Sequence, residues 1–172
     1  MKIRKTNLSD VKPIFDLYQK VATTNVGLIR TADEITQEYV TDFVQKSIEK
    51  GISLVVENEN AKIAAEIHTF PMGIRAFDHI LSNATMAVDP AEQGKGIGKK
   101  LFEYLLDEIK NHRTDIGRIE VFARETNNRS INLCEKLGFK KEGRLPNRIR
   151  LLDGSFETDI LMAWINPKFK FS

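Results

Sequence analysis

Ile14, Leu17, Tyr18 and Val21 recur at i, i+3, i+4 and i+7, the spacing of a helix with one buried face. Ser9 or Asp10 stands where that helix needs a cap, and Pro13 falls in its first turn, where a missing N–H is tolerated. A short strand over 2–5 precedes it. A second helix is predicted from Ile35, Tyr39, Phe43, Val44 and Ile48, with Thr31 and Glu34 at capping-box spacing ahead and Gly51 closing it. The pattern then changes: 52–57 and 62–70 read as strands, joined by the polar turn Asn58-Glu59-Asn60 into an antiparallel hairpin and stopped by Pro71 and Gly73. A strand over 79–89, ended by Pro90, leads through Gly94, Gly96 and Gly98 into a helix that places Ile97, Leu101, Leu105 and Ile109 on one side. A strand over 118–123 and a short helix over 130–137, stopped by Gly138, follow. From Phe139 the chain enters a long hairpin that turns at Asp153-Gly154. The sum is an α/β fold in one domain over 1–172, with antiparallel strands early and late and a strand–helix–strand unit between them.

Composition narrows the partners. Among 172 residues, 26 basic and 24 acidic side chains nearly cancel, so the totals carry no electrostatic footprint for nucleic acid. A lone Cys134 forms no internal disulfide, and three scattered histidines do not join it at zinc-ligand spacing, so neither a disulfide scaffold nor a structural metal site is expected. Residues 1–10 hold no apolar core of signal-peptide length, and no stretch approaches the ~20 apolar residues that cross a bilayer. A soluble protein of the reducing cytoplasm, with no membrane partner, is the expectation.

The chemistry concentrates in Gln93-Gly94-Lys95-Gly96-Ile97-Gly98, between a strand and a helix N-terminus. Glycines there let backbone N–H groups approach an anion, and the unpaired amides and helix dipole favour phosphate. A Walker loop does not fit, because Gln93 stands where its first glycine belongs and Lys100 where its hydroxyl belongs. A dinucleotide fingerprint fits poorly, because Lys99 occupies the third glycine position. The plain alternative is a glycine-rich turn with no ligand.

Context separates these readings. Val88-Asp89-Pro90 precedes the loop, and Asn127-Asn128-Arg129-Ser130-Ile131-Asn132-Leu133-Cys134-Glu135-Lys136-Leu137-Gly138-Phe139 follows about thirty residues later. Together they closely resemble the GNAT-type N-acetyltransferase superfamily, whose pyrophosphate loop has the form Q/R-x-x-G-x-G/A and whose second motif has the form N-x-x-A/S-I-x-L-Y-x-K-x-G-F. The resemblance implies a mixed, mostly antiparallel sheet splayed at its centre, with helices on both faces and a C-terminal hairpin. It implies acetyl-CoA as co-substrate, its pantetheine arm along Met86, Ala87 and Val88 and its pyrophosphate on Gln93, Gly94, Lys95, Gly96, Ile97 and Gly98, with Lys99 adding charge. The Val88 amide is expected to face the thioester carbonyl. Asn127 matches the asparagine that hydrogen-bonds the cofactor; as a helix N-cap it has a second, compatible role.

Cys134 is the one departure from the second motif, standing where the family usually has a tyrosine that protonates the leaving thiolate. A thiol is shorter, and the preferred reading makes Cys134 a small apolar helix residue rather than the acid. For the base, alternation along the second hairpin strand puts Glu66 and His68 on one side, away from Ile63, Ala65 and Ile67. In the architecture implied, that strand borders the acceptor cleft, so Glu66 is the first candidate base and His68 the second; solvated side chains on a half-exposed strand are the plain alternative. Glu120 is a weaker third. The acceptor is expected to be a small-molecule amine, with Arg30 a candidate partner for a substrate carboxylate and a protein α-amine the other option. A non-catalytic acyl-CoA-binding module is the rival from another class. Dimers are common in the family, and no residue fixes the oligomeric state.

Overall fold

The computed structural model describes residues 1–24 and 28–171. Its elements in chain order are β1 (Lys2–Lys5), α1 (Val11–Ala22), α2 (Gln37–Glu49), β2 (Ile52–Glu57), β3 (Ile63–Phe70), β4 (Ile80–Val88), α3 (Ile97–His112), β5 (Arg118–Arg124), α4 (Asn128–Lys136), β6 (Lys140–Arg150) and β7 (Phe156–Ile165). The strands form one open sheet in the order β1-β2-β3-β4-β5-β7-β6. β4 and β5 run parallel, as the crossover through α3 requires; β1–β2, β2–β3, β5–β7 and β6–β7 are antiparallel. Two compact units divide the chain: Met1–Phe70 with Thr85–Glu108, and Pro71–Ala84 with Ile109–Ser172. β4 contributes its first half to the second unit and its last residues to the first.

In the first unit, α1 starts after a 3-10 turn over Leu8–Asp10, and the cap of that turn is Asn7, whose side chain accepts from the Ser9 amide. Asp10 occupies the N-cap position of α1, as expected, but its side chain makes no cap hydrogen bond to the helix. Its carboxylate accepts from Arg4 Nη1 and Nη2 at 2.7 and 2.8 Å and from the Asn7 amide at 2.9 Å, and so is committed to joining β1 to the turn. The Thr31–Glu34 capping box is present, but it closes a separate 3-10 turn. Helix α2 begins only at Gln37, capped by the Thr36 hydroxyl accepting from the Tyr39 amide at 3.1 Å. Ile14, Leu17, Tyr18 and Val21 of α1 pack with Val40, Phe43 and Val44 of α2 and with Val55 and Ala87 of the sheet. Each buried Val, Leu, Ile or Phe among them contributes about 1.5–3 kcal/mol. After α2 the chain turns at Gly51, where a Cβ would lie 2.0 Å from the Thr69 carbonyl oxygen; only glycine admits this approach of backbone to backbone.

In the second unit, β5 alternates buried Ile119, Val121 and Ala123 with half-buried Arg118, Glu120, Phe122 and Arg124. β7 pairs with β5 on one side and β6 on the other. The hairpin turns where the sequence indicates: Gly154 has φ +85° and Asp153 Oδ1 accepts from the Ser155 amide at 2.9 Å. A bulge interrupts β6, since Leu145 pairs with Asp159 and Ile149 with Glu157; Asn147, at φ +58°, lies within it.

Candidate functional site

The loop after β4 is held from below and left open above. The Asp89 amide donates to the Ala64 carbonyl at 2.8 Å, fixing the end of β4 against β3. The Asp89 carboxylate accepts from the Ala91 amide at 2.9 Å and from Lys20 of α1 at 2.7 and 2.8 Å. Burial alone would raise this carboxyl, but the Lys20 ammonium and the Ala91 amide outweigh it and hold it below the usual carboxylate range. Gln93 turns its side chain back to donate to the Val88 carbonyl at 3.2 Å. Gly94 and Gly96 adopt φ +81° and +78°, and a Cβ at either would meet nothing within 4 Å. Gly98 serves a different purpose: its Cβ would lie 3.1 Å from Met86 Cε and 3.4 Å from Val88 Cγ2, so it seats the first turn of α3 on β4. Met86, Ala87, Val88 and Gln93 through Lys99 are thus one constellation, with open glycine backbone ahead of a helix N-terminus. That geometry suits a phosphate. Lys95 pairs with Glu92 at 2.9 Å and Lys99 with Glu103 at 3.5 Å, both on the exposed surface.

Glu66 and His68 do share one side of β3, but they are not solvated residues on a half-exposed strand. Both are buried, at 0% and 2% exposure, because helix residues cover that side too. Glu66 accepts from the Tyr18 hydroxyl at 2.6 Å and the Ser53 hydroxyl at 2.9 Å, and lies 3.1 Å from His68 Nδ1. Ser53 in turn is 2.7 Å from the Thr6 hydroxyl. The His68 ring stacks on Phe43 at 3.9 Å between centroids. Burial pushes the Tyr18 phenol well above its usual range, and the neighbouring carboxylate adds to the effect, so Tyr18 is a donor throughout the working pH range. Sequence reading placed Tyr18 in the apolar stripe of α1; its hydroxyl, which needs a partner once buried, was the signal for this network.

In the second unit, Asn127 is the N-cap of α4, its Oδ1 accepting from the Ser130 amide at 3.1 Å. Cys134 is buried in the same helix, and that burial pushes its thiol up to about 11, only partly countered by Ser130. Glu120 accepts from Arg118 at 2.8 Å and from the Ser82 hydroxyl at 3.2 Å. In the first unit, Arg30 lies over the Tyr39 ring at 4.3 Å. The stretch that leads to Arg30 is described only from Leu28 onward; residues 25–27 lie outside the described residues. Among the described residues no group of three His, Cys, Asp or Glu side chains is placed to hold a metal ion, and no helix is long and apolar enough to cross a membrane.

Comparison with known proteins bears on what this constellation does. The model of the acetyltransferase (GNAT) family matches residues 26–139. Ribosomal protein bS18-alanine N-acetyltransferase of Escherichia coli (strain K12) is 37% identical over 87 residues, covering 49% of this chain and 57% of that protein. The protein of the same description from Haemophilus ducreyi is 30% identical over 115 residues, covering 63% and 78%. The chain therefore spans little more than half the length of the Escherichia coli relative. Among solved structures, a Salmonella typhimurium acetyltransferase with its cofactor acetyl-CoA superposes with a TM-score of 0.86 at 21% identity, covering 100% of this chain and 97% of that one. A Sinorhizobium meliloti phosphinothricin acetyltransferase in complex with acetyl-CoA gives 0.83 at 17%, covering 98% and 90%. These last two likenesses are of fold.

Proposed function

Because the chain belongs to the acetyltransferase (GNAT) family, we propose that it transfers the acetyl group of acetyl-CoA to a primary amine, by direct attack within a ternary complex. The observation that carries this reading is the loop of Gly94 and Gly96, both at positive φ with open space where a side chain would stand, between β4 and α3. Acetyl-CoA supplies an activated acetyl group as a thioester. Backbone amides from Gln93 to Gly98 hold its pyrophosphate, and Met86, Ala87 and Val88 offer main-chain groups to its pantetheine arm as a neighbouring strand would. Lys95 and Lys99, each paired with a glutamate, contribute screened charge. Asn127 adds a cofactor hydrogen bond from its amide while its carbonyl caps α4. Cys134 stays protonated and fills space; the acetyl C–S bond breaks without it, because the coenzyme A thiolate is a good leaving group and takes up the proton that the attacking amine releases.

Glu66 and His68 enter this proposal as positioning residues. Complete burial and three partners leave the Glu66 carboxylate tying α1 to β2 and β3 rather than touching an amine. The acceptor is proposed to be a small-molecule amine in the cytoplasm. A protein α-amine is the second reading, favoured by the 37% identity with an enzyme named for a ribosomal protein alanine. Titrating the protein with acetyl-CoA, NAD and ATP, then following thiol release with amino acids, polyamines, aminoglycosides and an alanine-first peptide, tests all of this. Stabilisation by NAD or ATP but not acetyl-CoA overturns the cofactor assignment. Acetyl-CoA binding without turnover on any amine favours a non-catalytic module, and turnover on the peptide alone favours the second acceptor reading.

A further inference from the structure

Two carboxylates in the second unit, buried Asp159 and half-buried Glu157, each have a buried oxygen without a hydrogen-bond donor. Asp159 on β7 is 3% exposed; Arg148 Nη1 approaches its Oδ2 at 3.4 Å, and its Oδ1 has no hydrogen-bond partner. Two residues earlier on the same face of β7, Glu157 Oε1 accepts from the Thr126 hydroxyl, while its buried Oε2 has no hydrogen-bond partner and Arg124 stands 3.9 Å away. Buried polar atoms are nearly always satisfied, and an anion short of donors is the costliest exception. Burial raises the Asp159 carboxyl above its usual range; Arg148 and the Ile160 amide counter this, and Glu157 adds to it.

Pairing puts an aromatic ring one same-face position along the sheet from Asp159. Arg124 is opposite Asp159 across the β5–β7 ladder and Phe122 is opposite Leu161, so Phe122, Arg124, Glu157 and Asp159 all belong to one face of the sheet. The Arg148 guanidinium lies 4.1 Å over the Phe122 ring. Arg148 comes from the bulge in β6, and its side chain is 45% exposed. A cation thus already sits on the ring and beside Asp159, held by the 3.4 Å ion pair and the ring face and carried on a segment that departs from the ladder.

We propose that Glu157, Asp159 and Phe122 form a binding site for an alkylammonium group, which Arg148 covers and which a cationic ligand enters by displacing the Arg148 side chain. A primary ammonium carries three donors to offer to unpartnered carboxylate oxygens, and its adjoining methylenes suit the ring face. The inference rests on the acetyltransferase reading only for its natural occupant, an amine acceptor carrying one ammonium or two.

The test is calorimetric titration of the full chain with butylamine, 1,4-diaminobutane and, as a neutral control, 1-butanol. Arg148→Ala, which removes the competing cation, is expected to tighten alkylammonium binding at least about threefold, and Asp159→Asn to weaken it about tenfold or more. Glu157→Gln, at a half-buried position, is expected to weaken it in the same sense and covers the case in which Asp159→Asn does not fold. Preference for the diamine identifies an acceptor with two ammonium groups; equal binding of the monoamine identifies a single one, and both support the site. No binding of either amine to wild type or Arg148→Ala, binding equal to that of 1-butanol, or affinities unmoved by the carboxylate substitutions overturns it. Acetyl-CoA is titrated in parallel: its failure to bind while diaminobutane still does sinks the acetyltransferase reading and leaves the ammonium site standing.

Discussion

The Tyr18 hydroxyl donates to Glu66 Oε2 at 2.6 Å, linking residues 48 positions apart in the interior of the first unit. Tyr18→Phe removes that donor and leaves a buried carboxylate with one partner fewer. The expected cost is about 1–3 kcal/mol, read by urea denaturation. Combining it with Glu66→Gln should cost less than the sum of the two single changes, since the pair shares one interaction. Additive losses would show that the 2.6 Å contact contributes nothing of its own.

If Glu66 and His68 position α1, then Glu66→Gln and His68→Ala lower the melting temperature but keep the acid limb of the kcat/KM pH profile. Loss of that limb in either variant, with stability preserved, would restore that residue as the base that takes the amine proton.

The Lys20–Asp89 pair fixes a sign for acid sensitivity. The folded-state carboxyl of Asp89 lies below its unfolded value, so its stabilising contribution is complete above the ordinary aspartate range near ~3.9 and is lost as pH falls through the folded-state value. Stabilities of wild type and Asp89→Asn should therefore differ at neutral pH and converge in acid. A difference that grows on acidification contradicts the assignment.

Gly96→Ala places a side chain at φ +78°, where the backbone strain is about 1–2 kcal/mol, and puts a methyl group where open space now faces the loop. Acetyl-CoA affinity should fall about tenfold or more while the far-ultraviolet spectrum is unchanged. Unaltered affinity would remove the loop from the cofactor site.

With its thiol at about 11, Cys134 should resist alkylation at pH 8 in the native protein and react readily once unfolded. Cys134→Ala is expected to keep most of the turnover. A large fall in kcat at constant acetyl-CoA affinity would make the thiol the acid after all.

Local patterns carried much of this structure. The apolar spacing of Ile14 to Val21 placed α1, and Asp153-Gly154 placed the late hairpin, because each depends on neighbouring residues. Thr36, the cap of α2, is masked in the sequence by Thr31 and Glu34, a matching box five residues earlier, and the structure uses both. The interior position of Glu66 was not legible, because period two tells which side a residue takes and not what covers that side. Its partners Tyr18 and Ser53 come from other elements. The β6 bulge was equally hidden: a register shift is a property of two strands, and nothing in Leu145 to Ile149 alone states how many β7 residues they oppose. The cofactor loop was legible because its chemistry is in consecutive backbone units.

The interruption of β6 also bears on edge-to-edge pairing between copies of this chain. β6 ends the strand order, so its outer backbone groups are available for pairing with another molecule. The stretch from Lys140 to Arg150 holds five basic residues, a proline and the positive-φ Asn147. Repelling charges and a broken ladder are what an edge needs to refuse a second edge. Straightening it, by deleting Pro146 and Asn147, is expected to increase edge-to-edge association, read by light scattering.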